Sequence, residues 1–204
     1  MPRLFTGLEI TEEMARSIAM LRGGLPGATW IDPENYHVTL RFIGDVDDRI
    51  ADEVAHALGK VARRGFDLVL RGVDHFGGRQ PHSVFVRVEP TAALMELQAE
   101  HERILQRLGL PPEGRKYHPH VTVARVKGAS HRDVAQWLDV RGGFPGGRME
   151  VERFVLFSSK ASKGGGPYLV EQGYPLRPAG PAAPVDEAAM RRMYPGRALR
   201  AAAR

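Results

Sequence analysis

The tetrapeptide His-x-Thr-hydrophobic occurs twice in this chain, as His-Val-Thr-Leu at residues 37–40 and as His-Val-Thr-Val at residues 120–123. Around each copy the sequence repeats the order strand, helix, strand, helix, strand, and Thr11 and Thr91 begin corresponding helices. Each unit is short and alternates its elements, so we predict two small sheets packed together rather than one long parallel sheet. The duplication therefore restricts the chain to a fold of two similar halves.

Helix starts and strand spans follow from local patterns in both halves. Apolar residues recur at helical spacing after four polar residues that are favourable N-caps, and we predict helices beginning at Thr11, Asp47 or Asp48, Thr91 and Ser130. Extended segments are predicted over residues 4–10, 36–43, 66–70, 83–88, 117–126 and 149–157, with a last strand near residues 168–170.

Composition limits the class of protein. The 204 residues suit one domain, which we place at residues 1–177, followed by a Pro/Ala/Arg-rich tail at 178–204 that we expect to be flexible or marginally helical and outside the fold. Three of the five net positive charges come from that tail, so the charge is weak evidence for nucleic-acid binding. The absence of cysteine excludes disulfides and thiolate chemistry, and no apolar stretch approaches the length of a membrane span. We expect a cytoplasmic enzyme.

The paired tetrapeptides suit acid–base chemistry at a phosphate. In a strand, residues two apart share a face, so His37 and Thr39 point one way, as do His120 and Thr122. A pseudo-twofold between the halves would bring both pairs to one cleft. One neutral and one protonated imidazole coexist near neutral pH, and threonine hydroxyls donate hydrogen bonds to phosphate oxygens, so a phosphodiester could be opened without a metal.

The motifs and their surroundings resemble the two-histidine phosphoesterase superfamily, and within it the RNA 2′,3′-cyclic phosphodiesterases, also called 2′-5′ RNA ligase-like or LigT-like proteins. Matching segments lie at residues 5–8, 36–44, 118–125 and 156–168, and the resemblance covers about residues 3–177. It implies an α+β, bilobal fold with two pseudo-twofold-related antiparallel sheets, helices on their outer faces and a central cleft.

The resemblance also implies roles for individual residues. His37 would be the proton donor to the O3′ leaving group and His120 the proton acceptor that activates water, leaving a 2′-phosphate; sequence physics alone does not tell the two apart. Arg125 and Phe42, each five residues after a histidine, would bind the substrate beside Thr39 and Thr122. In a regular strand both would face away from their histidine, so this role needs a bulge, a strand end or a long reach.

Three alternatives stay open at this point. The same chemistry serves a 2′-5′ RNA ligase or a related cyclic-nucleotide phosphodiesterase, and a non-catalytic module could hold RNA ends with its histidines. His118 and His120 form an H-x-H pair that a metallohydrolase could use, although no further ligands are evident. We expect no cofactor and no metal, an RNA with a 2′,3′-cyclic phosphate end as partner, no membrane association and a monomer.

Overall fold

The computed structural model describes residues 3–159, 166–179 and 187–193. Within these ranges the chain forms nine strands and five α-helices. In chain order they are β1 (Arg3–Glu9), α1 (Glu12–Ala19), β2 (Ala28–Trp30), β3 (His37–Asp45), α2 (Asp48–Leu58), β4 (Phe66–Phe76), β5 (Ser83–Val88), α3 (Ala92–Arg107), β6 (His120–Val126), α4 (His131–Arg141), β7 (Gly147–Val151), β8 (Arg153–Ser159), β9 (Tyr168–Pro175) and α5 (Glu187–Met193).

The first four helices begin where the sequence predicts. A side-chain oxygen of each N-cap accepts a hydrogen bond from the backbone N–H three residues on, which satisfies a donor that the helix itself leaves unpaired. Ser130 and Asp133 form a reciprocal capping box at the start of α4. The capping residues are Thr11, Asp47, Thr91 and Ser130.

The strands form two antiparallel halves that meet at the motif strands. The first lobe runs outward from the centre as β3-β1-β8-β9 and the second as β6-β5-β4-β7, with β2 beside β6. Among the described residues one pair, Val38 with Val121, joins β3 to β6, so the two halves form a continuous nine-stranded sheet, and farther along β6 the same edge pairs with β2. The predicted α+β class with antiparallel sheets is confirmed, although the sheets are joined rather than separate.

The two halves of the sequence exchange strands between the lobes. β4 follows the first motif but pairs with β5 in the second lobe, and β8 follows the second motif but pairs with β1 in the first. The single strand predicted over residues 149–157 is therefore wrong. It is two strands in different lobes, divided at Glu152, because the chain crosses the molecule there. β2 was not predicted, and β4 is longer than predicted.

The core lies between the sheet and the helices, on the side away from the cleft. Leu94, Leu97 and Leu105 of α3 are fully buried, as is Val54 of α2, and each such side chain contributes about 1.5–3 kcal/mol of burial free energy. His101 of α3 reaches the outer face of the first lobe, where its Nδ1 lies 2.9 Å from the hydroxyl of Thr6. No helix in the described part of the chain is both long and apolar enough to cross a membrane.

Candidate active site

The two motif strands meet at an open cavity of about 510 Å³ between the lobes. A cavity of this size is in the range of ~300–1,000 Å³ that is typical of small-molecule sites. All six residues that the sequence singles out line it, three from each motif strand. The complete lining is Arg3, Phe5, Ile31, Asn35, His37, Thr39, Phe42, His120, Thr122, Arg125, Ser159 and Tyr168.

Both histidine rings are held in the same way. Nδ1 of His37 lies 2.8 Å from the carbonyl oxygen of Asn35, and Nδ1 of His120 lies 2.7 Å from that of His118. A carbonyl oxygen only accepts, so each Nδ1 carries a proton and donates it to the backbone two residues earlier. The second nitrogen, Nε2, is thereby left for chemistry in both rings. This local pairing fixes tautomer and ring orientation at two equivalent places in the fold.

Thr39 contacts the Nε2 atom of His37. Its hydroxyl oxygen lies 3.1 Å from Nε2. With a neutral ring the hydroxyl donates to Nε2, and with a protonated ring Nε2–H donates to the hydroxyl oxygen, so the pair suits either charge state. Thr39 thus acts on the histidine as well as facing the cavity.

Burial lowers the pKa of both rings. Desolvation together with the positive charges of His120 and Arg125, against the opposing effect of the hydrogen bond to the Asn35 carbonyl, lowers the pKa of His37 to about 4. Burial also lowers the pKa of His120 below its ordinary value, against the opposing effect of the hydrogen bond to the His118 carbonyl, and the charge of the His118 ring lowers it slightly more. A group that acts as an acid here therefore needs a bound anion to stabilise its protonated form.

A bulge in each motif strand turns Phe42 and Arg125 into the cleft. In β3, Thr6 pairs with Arg41 whereas Gly7 pairs with Thr39, so one residue is extra and the alternation of faces reverses. The same shift occurs in β6, between the partners of Val84 and Phe85. Both side chains consequently share the face of their histidine. Of the three possibilities that the sequence left open, a bulge is present in both copies.

Arg41 ties the first bulge to the outer helix layer. Reversal of the faces buries Arg41, whose guanidinium group bonds to the Glu102 carboxylate of α3 and to the carbonyl oxygens of Phe42 and Pro111. Desolvation alone would raise the pKa of Glu102, but the hydrogen bonds to its carboxylate and the charge of Arg41 outweigh this effect and lower it. The cleft-facing position of Phe42 therefore depends on a contact on the opposite side of the sheet.

Aromatic side chains form the wall behind each histidine. In the first lobe the ring centroids of Phe5, Tyr168 and Phe157 lie 5.0, 4.9 and 5.6 Å from that of His37. In the second lobe the centroids of Phe76 and Phe85 lie 4.9 and 5.1 Å from that of His120. These rings displace water from the back of each imidazole, which accounts for the lowered pKa values. The residues of each wall come from strands that are distant in sequence, so the motif pattern did not predict them.

Asn35 connects the first histidine to the last strand. Its carbonyl oxygen accepts from His37, and its side-chain oxygen accepts from the backbone N–H of Tyr168 at 3.1 Å. Gly166 lies against this amide with a φ of +100°, and an added Cβ would come within 2.5 Å of the Asn35 side chain. Asn35 was not predicted, since its neighbours in sequence give no signal for a contact with residue 168.

One end of the cavity carries an oriented arginine. Arg3 lies two residues from Phe5 on the same face of β1, and Asp45 holds its guanidinium through two hydrogen bonds of 3.1 and 2.7 Å. Ser159, its partner on β8, also lines this end. A guanidinium group has five N–H donors, so those not directed at Asp45 can face a ligand.

The H-x-H pair does not converge on a shared point. His118 uses its carbonyl oxygen to hold His120 and is absent from the described lining of the cavity, whereas His120 faces it. Among residues 3–159, 166–179 and 187–193, no group of three or more His, Asp or Glu side chains is arranged to hold a metal ion. Residues 160–165, which are rich in glycine and lysine, lie outside the described residues.

Solved structures share this architecture. Escherichia coli LigT complexed with 3′-AMP superposes with a TM-score of 0.71 at 23% identity, covering 86% of this chain and 99% of that one. A protein of Thermus thermophilus superposes with a TM-score of 0.72 at 23% identity, covering 86% and 98%. Two lobes that present His-x-Thr strands to a common cleft define the two-histidine phosphoesterase class.

Sequence comparison narrows the class to a family. The model of the 2′-5′ RNA ligase superfamily matches residues 12–163, and the chain belongs to this superfamily. A Thermotoga maritima protein named RNA 2′,3′-cyclic phosphodiesterase is 32% identical over 176 residues, which are 82% of this chain and 92% of that protein. An Aeropyrum pernix protein of the same name is 37% identical over 145 residues, covering 70% and 82%.

Proposed function

We propose that this protein hydrolyses 2′,3′-cyclic phosphate ends of RNA to 2′-phosphates by metal-free acid–base catalysis. The observation that carries the proposal is that two imidazoles, each with Nδ1 bonded to a backbone carbonyl, line one cavity and leave Nε2 available for proton transfer. The names of the relatives supply the substrate class. We propose residues 1–177 as the catalytic domain, in a cytoplasmic monomer.

In the proposed reaction one histidine takes a proton and the other gives one. Nε2 of His120 accepts a proton from water as the water oxygen attacks phosphorus. The bond between phosphorus and O3′ breaks, and Nε2–H of His37 protonates the departing oxygen, so the product is a 2′-phosphate with a free 3′-hydroxyl. Proton exchange with solvent then restores both rings. General acid–base catalysis of this kind contributes about 10²–10⁴-fold for each group.

The remaining cavity residues would bind the phosphate and the sugar-base unit. Thr39 and Thr122 occupy equivalent places beside the two histidines, where their hydroxyls can donate to the non-bridging oxygens. Arg125 adds a positive charge on the same face, which stabilises the charge that develops on the phosphoryl oxygens. Phe42 is 46% exposed on the opposite wall and offers an aromatic surface for stacking of the base.

The low pKa of His37 is compatible with its proposed role as the acid. In the free protein its ring is neutral at pH 7 because its pKa is about 4. A bound phosphate anion places a negative charge next to the ring and raises that pKa, so substrate binding itself creates the acid. Hydrolysis is thereby confined to the occupied cleft.

A 2′-5′ RNA ligase is the second candidate, favoured by the description of the superfamily. A 5′-hydroxyl in place of water would attack the cyclic phosphate with the same two histidines and yield a 2′-5′ linkage. The two activities differ only in which nucleophile occupies the cavity. Incubation of a cyclic-phosphate strand with and without a 5′-hydroxyl strand separates them, because only ligation lengthens the product.

The decisive experiment is turnover of a short oligonucleotide with a 2′,3′-cyclic phosphate in the presence of EDTA, with the position of the product phosphate assigned. We expect a 2′-phosphate, undiminished rate in EDTA, and a loss of about 10²–10⁴-fold in His37→Gln and His120→Gln. Loss of activity in EDTA with recovery on adding a divalent metal would support a metallohydrolase instead. Tight binding without turnover at any pH would indicate a binding module.

A further inference from the structure

A cluster of aromatic and apolar side chains lies behind each of the two histidines, and the two clusters are completed by different elements. In the first lobe a cluster of Phe5, Val155 and Phe157 is completed by Tyr168 from β9. In the second lobe Phe85 is completed by Phe76 and by Met193, which comes from α5. Met193 of α5 thus packs against the ring that contacts the second histidine, whereas in the first lobe Tyr168 of the last strand contacts the histidine itself.

Phe85 is a cleft-face residue that α5 helps to cover. It stands opposite Thr122 in the β5–β6 pairing, and cross-strand partners share a face. Thr122 lines the cavity, so Phe85 points toward the cleft side, yet Phe85 is only 1% exposed. Its cover includes Phe76, His120 and the side chain of Met193.

The short helix α5 presents a matching face. Ala189 and Met193 are half-buried and lie four residues apart, on one side of the helix, whereas Ala188, Arg191 and Arg192 are exposed. Helical spacing therefore directs the small and the apolar residue toward the lobe and the arginines toward solvent. This segment lies beyond residue 163, where the superfamily match ends.

We infer that Met193 is a positioning residue for His120, acting through Phe85 to close the back of the second histidine's pocket. The inference deepens the proposed function and rests on it. Methionine is flexible and polarisable and packs well against aromatic rings, so it fills the gap at the Phe85 edge without a rigid fit. With the gap filled, the rings of Phe85 and Phe76 are fixed against His120, and water is kept from the rear of the imidazole.

The test compares full-length variants in which only this contact changes. Met193→Ala removes the contact, and Met193→Leu keeps an apolar side chain of similar size. Met20→Ala is the matched control, because Met20 is 79% exposed at the C-terminal end of α1. Every variant retains the charged and titratable groups around His120. These are His118 and Arg125 on its own segment, Arg87 opposite it on β5, His82 beside Phe76, and His37 across the cleft.

Two readouts separate positioning from general stability. For Met193→Ala we expect kcat to fall about threefold to tenfold with little change in KM, since a truncated half-buried side chain leaves a small cavity behind the catalytic ring. In an NMR titration of the imidazole rings, the pKa of His120 should rise toward its ordinary value while that of His37 stays unchanged. Met193→Leu should restore both readouts, and Met20→Ala should alter neither.

Unchanged kcat together with an unchanged His120 titration in Met193→Ala would overturn the inference. Equal shifts at His37 and His120, or an equal loss in Met20→Ala, would also overturn it, because such effects reflect the whole molecule. The ring titration needs no turnover. If the wild-type protein fails to hydrolyse any cyclic phosphate, the proposed function is refuted while the titration still decides whether Met193 acts on His120.

Discussion

Acid–base catalysis by two buried histidines predicts different pH optima for kcat/KM and for kcat. kcat/KM reports the free protein, and kcat reports the substrate complex. In the free protein the pKa of His37 is about 4 and burial lowers that of His120, so both limbs of the kcat/KM profile should lie below about pH 6.5, the ordinary histidine value. Above that pH, kcat/KM should fall about tenfold for each pH unit.

The bound phosphate shifts the second profile. A unit negative charge about 4 Å from an imidazolium contributes about 4 kcal/mol at an effective dielectric constant near 20, which corresponds to about three pKa units. The pKa of His37 in the complex should therefore approach 7, and the kcat optimum should lie about one to three units above that of kcat/KM. The sign follows because an anion stabilises the protonated ring.

The assay is initial-rate hydrolysis of a fluorescent oligonucleotide with a cyclic phosphate end, from about pH 4 to 9 in EDTA at constant ionic strength, a range that spans both expected profiles. His56→Ala serves as the control, since the His56 side chain lies on α2, away from the described lining of the cavity, and should leave both profiles unchanged. His37→Gln should remove one limb and His120→Gln the other. Coincident optima for the two parameters, or a kcat/KM optimum above about pH 7, would refute the argument from burial.

Three further predictions concern residues around the site. Arg3→Ala should lower kcat/KM about threefold to tenfold for a cyclic-phosphate oligonucleotide but not for a cyclic mononucleotide, through loss of a phosphate contact; Arg153→Ala, which breaks a similar exposed pair outside the cavity, should have no effect in the same assay. Arg41→Met should lower the unfolding free energy by about 1–3 kcal/mol because the Glu102 carboxylate loses its ion-pair partner while keeping its hydrogen bonds to Gln106 and the backbone of Glu113, and the double variant Arg41→Met/Glu102→Leu should recover part of it in urea titrations. Burial lowers the pKa of His101 to about 3, so below about pH 6.5 the unfolded chain binds a proton that the folded protein excludes. From this group the unfolding free energy should fall by about 1.4 kcal/mol for each unit of decreasing pH, and His101→Leu should remove that contribution.

Features with local causes were predictable from the sequence. An N-cap needs only a side-chain oxygen and a backbone N–H three residues away, so Thr11, Thr91 and Ser130 could be assigned without tertiary information. The same holds for the shared face of His37 and Thr39, because side chains in any strand alternate between its two faces. The duplication then placed the second motif opposite the first.

Features that depend on partners distant in the chain were not predictable. The bulges at β3 and β6 follow from pairing with β1 and β5, so the sequence predicted only that Phe42 and Arg125 needed a bulge, a strand end or a long reach. Asn35 acquires its role from Tyr168, 133 residues away. The break at Glu152 arises because β7 and β8 belong to different lobes, whereas the apolar pattern on either side of it is continuous.

The exchange of β4 and β8 has a consequence for how the two motifs stay in register. Each lobe contains strands from both repeats, so neither repeat can form a complete sheet when expressed alone, and the two repeats cannot separate without breaking strand pairs inside the lobes. The hinge that a simple tandem duplication would have left between its copies is replaced by interlocked strands. The two repeats that supply the histidines are thereby held together without any covalent cross-link.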